Sequence, residues 1–179
     1  MKLKMAWWLA LDKSDDSVKK ALGMEGLTGP ALKAHSNYKL LAKYADKAEK
    51  YHLRKMVQGG FPTYEIWAEL GFSRITDTRQ IEKIKHTSAY TTYKRYVNMF
   101  DDNILWTMGS GYYLPKFASE NATPAEMTAR AQIWAEAGRS DDYVRMILGL
   151  KGLDGARLIR NKNYSYYAEF LAKTQSLSH

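Results

Sequence analysis

With 179 residues, of which 45% are hydrophobic and 13% aromatic, the chain can bury the core of one domain or of two or three small bundles that share interfaces. No apolar run approaches the roughly 18 to 20 residues of a membrane span, and the absence of cysteine excludes disulfides, Cys-ligated zinc and thiol catalysis. The formal charge of +8 suits nucleic acid, acidic membranes or acidic proteins and names none of them.

Lys2-Leu3-Lys4 followed by Met5 to Leu11 imitates a signal peptide, but Asp12 ends the run and no small-residue cleavage site follows. The segment reads as a folded helix carrying Trp8. Ser14 offers an N-cap for a second helix, with Asp15 and Asp16 in its first turn, where negative charge suits the helix dipole, and Gly23 closes it. After a loop, Asn37-Tyr38 opens an aromatic helix. Between Tyr38 and Gln58 there is no Pro, no Gly and no clustered Ser, and residues 38, 41, 45, 48, 52 and 56 keep a helical spacing. One uninterrupted helix of about twenty residues, about 30 Å long, is predicted there.

The other side of that helix carries Lys39, Lys43, Lys47, Lys50, Arg54 and Lys55. The row reads as a solvated face or, more sharply, as a docking surface for an acidic partner, with Lys43, Lys47, Lys50, Arg54 and Lys55 as the candidate contact residues. Further along, Leu70-Gly71 ends another short helix, Tyr90 opens a second aromatic helix, and Asp101-Asp102 is expected to end it. Gly109-Ser110-Gly111 reads as a flexible break. Thr123-Pro124-Ala125-Glu126 is a helix start with Thr as N-cap, Pro first and Glu third. Trp134, Ser140-Asp141-Asp142, Gly149 and Asn163-Tyr164 then repeat the opening pattern. The stretch from Thr91 to Val97 has some strand character but carries Lys94 and Arg95 and fits the helical period, so no sheet is expected.

The repetition is the strongest signal. Sliding the sequence by 126 positions lays Trp8 to Lys47 on Trp134 to Lys173 without a gap. About fifteen of forty positions match, which makes the two segments copies of one unit. A degenerate copy lies between them: a shift of 48 places Met56 on Trp8, Ile66 on Val18 and Leu70-Gly71 on Leu22-Gly23, and about four inserted residues bring Tyr90 onto Tyr38. The aromatic helices then read Tyr38, Leu41, Tyr44; Tyr90, Tyr93, Tyr96; and Tyr164, Tyr167, Phe170, each on one helical stripe. The expected architecture is all-α, with tandem small bundles over residues 1–48, 49–118 and 119–179, the first two joined by a shared long helix.

Catalytic chemistry finds little support. Asp15-Asp16 and Asp141-Asp142 occupy the same helix-start place in two repeats, which fits capping better than a paired acid and base. His35, His52, His86 and His179 have no ligand spacing. The glycines at 23, 26 and 29 and again at 149, 152 and 155 follow no strand and precede no Gly-Lys-Ser/Thr, so they read as turn residues. A non-enzymatic protein without cofactor or metal is expected.

A Trp helix, then Asp-Asp-x-Val-x-x-x-Leu-Gly-Leu, then Asn-Tyr opening an aromatic helix resembles the WY module of secreted RxLR effectors of oomycete plant pathogens. Trp134-Ala-Glu-Ala-Gly-Arg-Ser-Asp-Asp-Tyr-Val144 and Tyr93-Lys-Arg-Tyr-Val-Asn-Met-Phe-Asp-Asp102 look especially close. The resemblance implies three- or four-helix bundles with Trp and Tyr packed together inside. Carried onto this chain, Trp8 pairs with Tyr38 or Tyr44, Trp134 with Tyr164 or Phe170, and Met56, at the tryptophan place, with Tyr90 or Tyr93.

The resemblance further implies secretion by the pathogen, action in the cytoplasm or nucleus of the host cell, and suppression of immunity by binding a plant protein. Self-association stays open. The Arg-x-Leu-Arg motif is missing, and His52-Leu53-Arg54 and Arg157-Leu158-Ile159-Arg160 do not match it, so the chain is expected to be the mature effector domain. Trp8-x-x-Leu11 and Trp67-Ala-Glu-Leu70 match a short motif with which some of these effectors seize ubiquitin-like autophagy proteins. That recognition adds an extended strand to a sheet edge, so helical copies read as coincidences. The alternative reading is a basic helical nucleic-acid-binding protein, disfavoured because no helix-turn-helix, zinc-finger or RNA-recognition signature is present.

Overall fold

A computed structural model describes residues 2–111 and 117–178, all of whose regular elements are helical. In chain order they are α1 (Lys2–Ala10), α2 (Asp15–Ala21), α3 (Gly29–Ala34), α4 (Tyr38–Gln58), α5 (Thr63–Trp67), a π turn (Ala68–Phe72), a 3-10 turn (Thr78–Gln80), α6 (Ile81–Ile84), α7 (Ser88–Ser110), α8 (Pro124–Glu136), α9 (Asp141–Ile147), α10 (Gly155–Ile159) and α11 (Tyr164–Leu177). They form two compact bodies, Met1–Gln58 and Gly59–His179.

In the N-terminal body α1, α2 and α3 each pack on α4. Met5 and Trp8 of α1, Val18 of α2, Leu22 and Met24 after it, and Leu41 and Tyr44 of α4 close the core. As expected, α4 runs unbroken for 21 residues through residues 45–52. Leu41 and Tyr44, in its first half, are buried on the side that closes this core, whereas Leu53 and Val57, in its last two turns, are buried on a different side.

The C-terminal body is built around α8, which packs against α11, α7 and the 3-10 turn. Every residue from Ala125 to Ala135 is buried except Gln132, which is half-buried. Thr123 caps α8 by accepting from the Glu126 amide at 3.2 Å. The capping role expected of the Glu126 side chain is not its main one: its carboxylate turns inward and accepts from Thr63 Oγ1 at 2.8 Å and the Tyr93 hydroxyl at 2.5 Å.

The two outer repeats share geometry as well as sequence. Ser14 and Ser140 both sit in extended backbone and accept from the amide three residues on, at 3.3 and 3.2 Å. Asn37 Nδ2 donates to the Leu22 carbonyl and Asn163 Nδ2 to the Leu148 carbonyl, both at 2.9 Å. Gly23 and Gly149, with φ of 72° and 67°, end their helices in the left-handed region that glycine enters without steric cost.

Two expectations need correction. Asp101-Asp102 does not end a helix; both residues lie inside α7, and Asp101 is buried. Gly109 and Ser110 do not break the chain either, because α7 continues through Ser110 and only Gly111, at φ 73°, turns it. Ser110 Oγ bonding back to the Trp106 carbonyl at 3.0 Å helps hold that last turn.

Candidate functional site

The exposed row on α4 follows from the helical period. Lys43, Lys47, Lys50 and Arg54 stand at i, i+4, i+7 and i+11, on one stripe, with Lys39 a turn earlier and Lys55 beside it. All six are exposed. Lys50 pairs with Asp46 at 2.9 Å, and Lys55 places its ammonium 4.6 Å from the centre of the Tyr51 ring. Exposed pairs of this kind leave the charge available to a partner and contribute little stability. Lys47, Lys50 and Arg54 rim a shallow hollow floored by Leu9 and Tyr51, so apolar surface and positive charge lie together.

The residues expected in the core fall into two groups. Trp8, Tyr44, Tyr90, Tyr93, Trp134 and Phe170 are buried, whereas Tyr38, Met56 and Tyr164 are half-buried. Trp8 meets Tyr44 edge-on with ring centres 6.1 Å apart, and the Tyr44 hydroxyl donates to the Lys13 carbonyl. The ring that meets Tyr93 edge-on is Trp67, at 4.9 Å, and Trp67 also touches Phe72 at 5.0 Å. Trp134 makes its polar contact with α7: its Nε1 donates to Asp101 at 2.9 Å. The two tryptophans of the short Trp-x-x-Leu motifs, Trp8 and Trp67, are buried in their helices.

Sequence reasoning missed the polar group that joins α7, α8 and α9. Asp101 accepts from Trp134 Nε1 and, at 2.8 Å, from the Tyr143 hydroxyl, with Arg130 at 3.8 Å and Arg139 at 3.9 Å. Arg130 is itself buried; its guanidinium lies 5.0 Å from the Trp134 ring centre and 6.0 Å from that of Phe100, and Nη1 donates to the Phe117 carbonyl at 2.6 Å. Burial pushes the Asp101 carboxyl above its ordinary range against the pull of Arg130, Tyr143, Arg139 and Trp134. Burial, the Glu126 charge and the hydrogen bond to Glu126 likewise hold the Tyr93 hydroxyl well above its usual value. The available signal was a charge on an apolar stripe: Asp101 falls in line with Tyr93, Val97, Phe100 and Ile104.

Asp101 draws donors from α8 and α9 onto α7, so the cluster is suited to holding helices together, although Arg130 Nε and Nη2, Arg139 Nε and Glu126 Oε2 make no hydrogen bond of their own among the described residues. Among the described residues no group of three or more His, Cys, Asp or Glu side chains could hold a metal ion, and no helix is long and apolar enough to cross a membrane.

No protein-family model matches the chain, and no solved structure matches it. A curated relative, a secreted RxLR effector protein of Phytophthora infestans (strain T30-4), is 34% identical over 163 residues, which cover 91% of this chain and 67% of the relative. Identity at that level over nearly the whole chain extends the resemblance carried by the Trp and aromatic helices from isolated motifs to the full sequence. The chain therefore belongs to the secreted RxLR effector proteins of oomycetes, which a pathogen secretes and which enter host cells.

Proposed function

We propose that the protein acts inside the plant cell, in cytoplasm or nucleus, as a non-enzymatic interaction protein that binds a host protein and thereby suppresses immunity. Its framework is a tandem of WY-like units over residues 1–48, 49–118 and 119–179, and its contact surface is the row Lys43, Lys47, Lys50, Arg54 and Lys55. The observation that carries this reading is the stripe on α4: Leu41 and Tyr44 anchor the helix in the N-terminal core, while Lys43, Lys47, Lys50 and Arg54, which lie away from that side, and Lys55 all stand in solvent. An unbroken helix with buried residues toward both of its ends presents the charges in a fixed pattern, so little ordering entropy is lost when an acidic surface docks.

The test replaces Lys43, Lys47 and Arg54 together by Glu and compares the triple variant with the parent in leaf cells. Suppression of the elicitor-triggered oxidative burst should be lost, with the far-UV circular dichroism and thermal midpoint of the purified variant unchanged. Full suppression by the triple variant would refute the assignment of the surface. Binding of single-stranded RNA with affinity falling steeply with salt, and lost in the variant, would instead give the row to nucleic acid.

A further inference from the structure

The hollow on the N-terminal body is more selective than the basic row around it. Leu9, half-buried on α1, and Tyr51, 42% exposed on α4, form its floor, and Lys47, Lys50 and Arg54 stand at its rim. Its volume is about 310 Å³, room for one large side chain. Lys50 is already shared with Asp46 at 2.9 Å, whereas Lys47 and Arg54 make no ion pair among the described residues. Uncommitted positive charge therefore sits toward the two ends of the hollow, with apolar surface between.

That layout selects a ligand. Lys47 and Arg54 stand at i and i+7 of one helix, so they lie two turns, about 10 Å, apart along its axis and nearly in line. A partner helix with carboxylates at i and i+7 meets both cations from a single face, and its residue at i+3 or i+4 falls midway on that face, over Leu9 and Tyr51. An extended strand that spans the same distance holds its carboxylates about three residues apart, on opposite faces. A nucleic-acid strand fits less well, because its unbroken run of phosphates meets the Asp46 carboxylate beside Lys50 and offers no aliphatic group to Leu9.

We propose that the hollow receives an acidic amphipathic helix of the host protein, with one carboxylate on Lys47, one on Arg54, and a leucine or aromatic side chain between them seated on Leu9 and Tyr51. The proposal rests on the reading of the α4 row as the host-protein contact surface and adds to it the shape of the partner and its apolar anchor. Exposed ion pairs alone contribute little, whereas a side chain that leaves water for the hollow supplies affinity and fixes the register of the charges. One helix seated in one shallow groove is a small contact, so a short peptide binds with Kd on the order of 10 to 100 µM.

Fluorescence anisotropy reads this with a labelled, Ala-rich helical peptide that carries two Glu two turns apart and Leu midway between them. The intact chain should bind it, and changing the peptide's Leu to Ala should weaken binding by about fivefold to tenfold. Tyr51→Ser should weaken the Leu peptide by a similar factor and leave the Ala peptide unchanged, so that the two changes do not add. Lys47→Glu should weaken both peptides. Equal binding of the Leu and Ala peptides, or no binding of either, would overturn the proposal. So would oligouridine RNA that binds more tightly than the Leu peptide and is released by Tyr51→Ser, which would give the hollow to nucleic acid. In leaf cells the two levels separate: suppression lost in the triple variant of Lys43, Lys47 and Arg54 but kept in Tyr51→Ser removes the anchored helix and spares the surface, whereas suppression kept in both removes the surface as well.

Discussion

The first and last repeats begin with equivalent tryptophans, yet the two rings live in different settings. Trp8 lies in a small core against Tyr44, on a helix whose other described buried side chain is Met5. Trp134 lies on a helix buried on nearly every side, hydrogen-bonded to Asp101 and flanked by Arg130. The caps, the left-handed glycines and the Asn-to-carbonyl bonds are the same in both repeats. Local sequence therefore sets the path of the unit, whereas the depth of its core depends on which neighbouring helices close over it. A helix covered on one side can keep one apolar stripe; a helix covered on several, as α8 is, needs small residues such as Ala125, Ala129, Ala131 and Ala135 to let its neighbours approach.

The largest contrast should come from the two buried hubs. Asp101→Ala would leave Arg130 and the donors of Trp134 and Tyr143 without their acceptor and should destabilise the C-terminal body by about 3 to 5 kcal/mol in denaturant titration. Trp134→Ala should cost a similar ~3 to 5 kcal/mol, while Trp8→Ala should fall at or below about 3 kcal/mol because its surroundings relax more readily. Equal losses for the two tryptophans would erase the distinction between the bodies. Ala45→Pro, in the middle of α4, should cost about 3 kcal/mol or more by removing a helical hydrogen bond and distorting the helix. A neutral outcome would contradict a continuous α4.

Smaller effects test the sameness of the repeats. Asn37→Ala and Asn163→Ala each strip one side-chain partner from a carbonyl, of Leu22 and Leu148, and should cost about 1 to 2 kcal/mol apiece. Ser14→Ala and Ser140→Ala each remove an N-cap and should cost about 1 kcal/mol. The members of each pair should agree to within about 0.5 kcal/mol, and a clear inequality would mean the shared geometry is not shared energetics.

The pH dependence of stability adds a finer contrast. Because burial raises the Asp101 pKa above the ordinary range of an aspartate, the folded state holds that proton more tightly than the unfolded chain. The resulting contribution is fully present below the unfolded pKa and is lost as pH rises through the raised one. Replacing Asp101 by Asn should flatten that part of the stability profile of the C-terminal body; an unchanged slope would assign it to other groups.

Much of this molecule was legible in the sequence because its signals are local. Ser14 and Ser140 precede acidic pairs, glycines stand where helices must turn, and the stretch from Tyr38 to Gln58 contains no helix breaker. What was not legible depends on contacts far apart in the chain. The inward turn of Glu126 is decided by Thr63 and Tyr93, and the burial of Asp101 by Arg130, Arg139 and Tyr143, none of which a helix-start motif or an acidic pair can announce. Met56 took the tryptophan place in the repeat register, but Trp67, eleven residues on, supplies the ring that meets Tyr93. The basic row on α4 was visible as a pattern, and its exposure follows from the same period that buries Leu41 and Tyr44.

Native-state hydrogen exchange on the amides of α1 and α8 tests most directly the claim that one helix unit occurs twice with different cover. Under dilute conditions the amides of Ala129 to Ala135 should exchange only through global unfolding of the C-terminal body. Those of Trp7 to Ala10 should exchange through openings of clearly lower free energy, because one side of α1 is bare. Equal protection of the two helices in dilute solution would contradict the account.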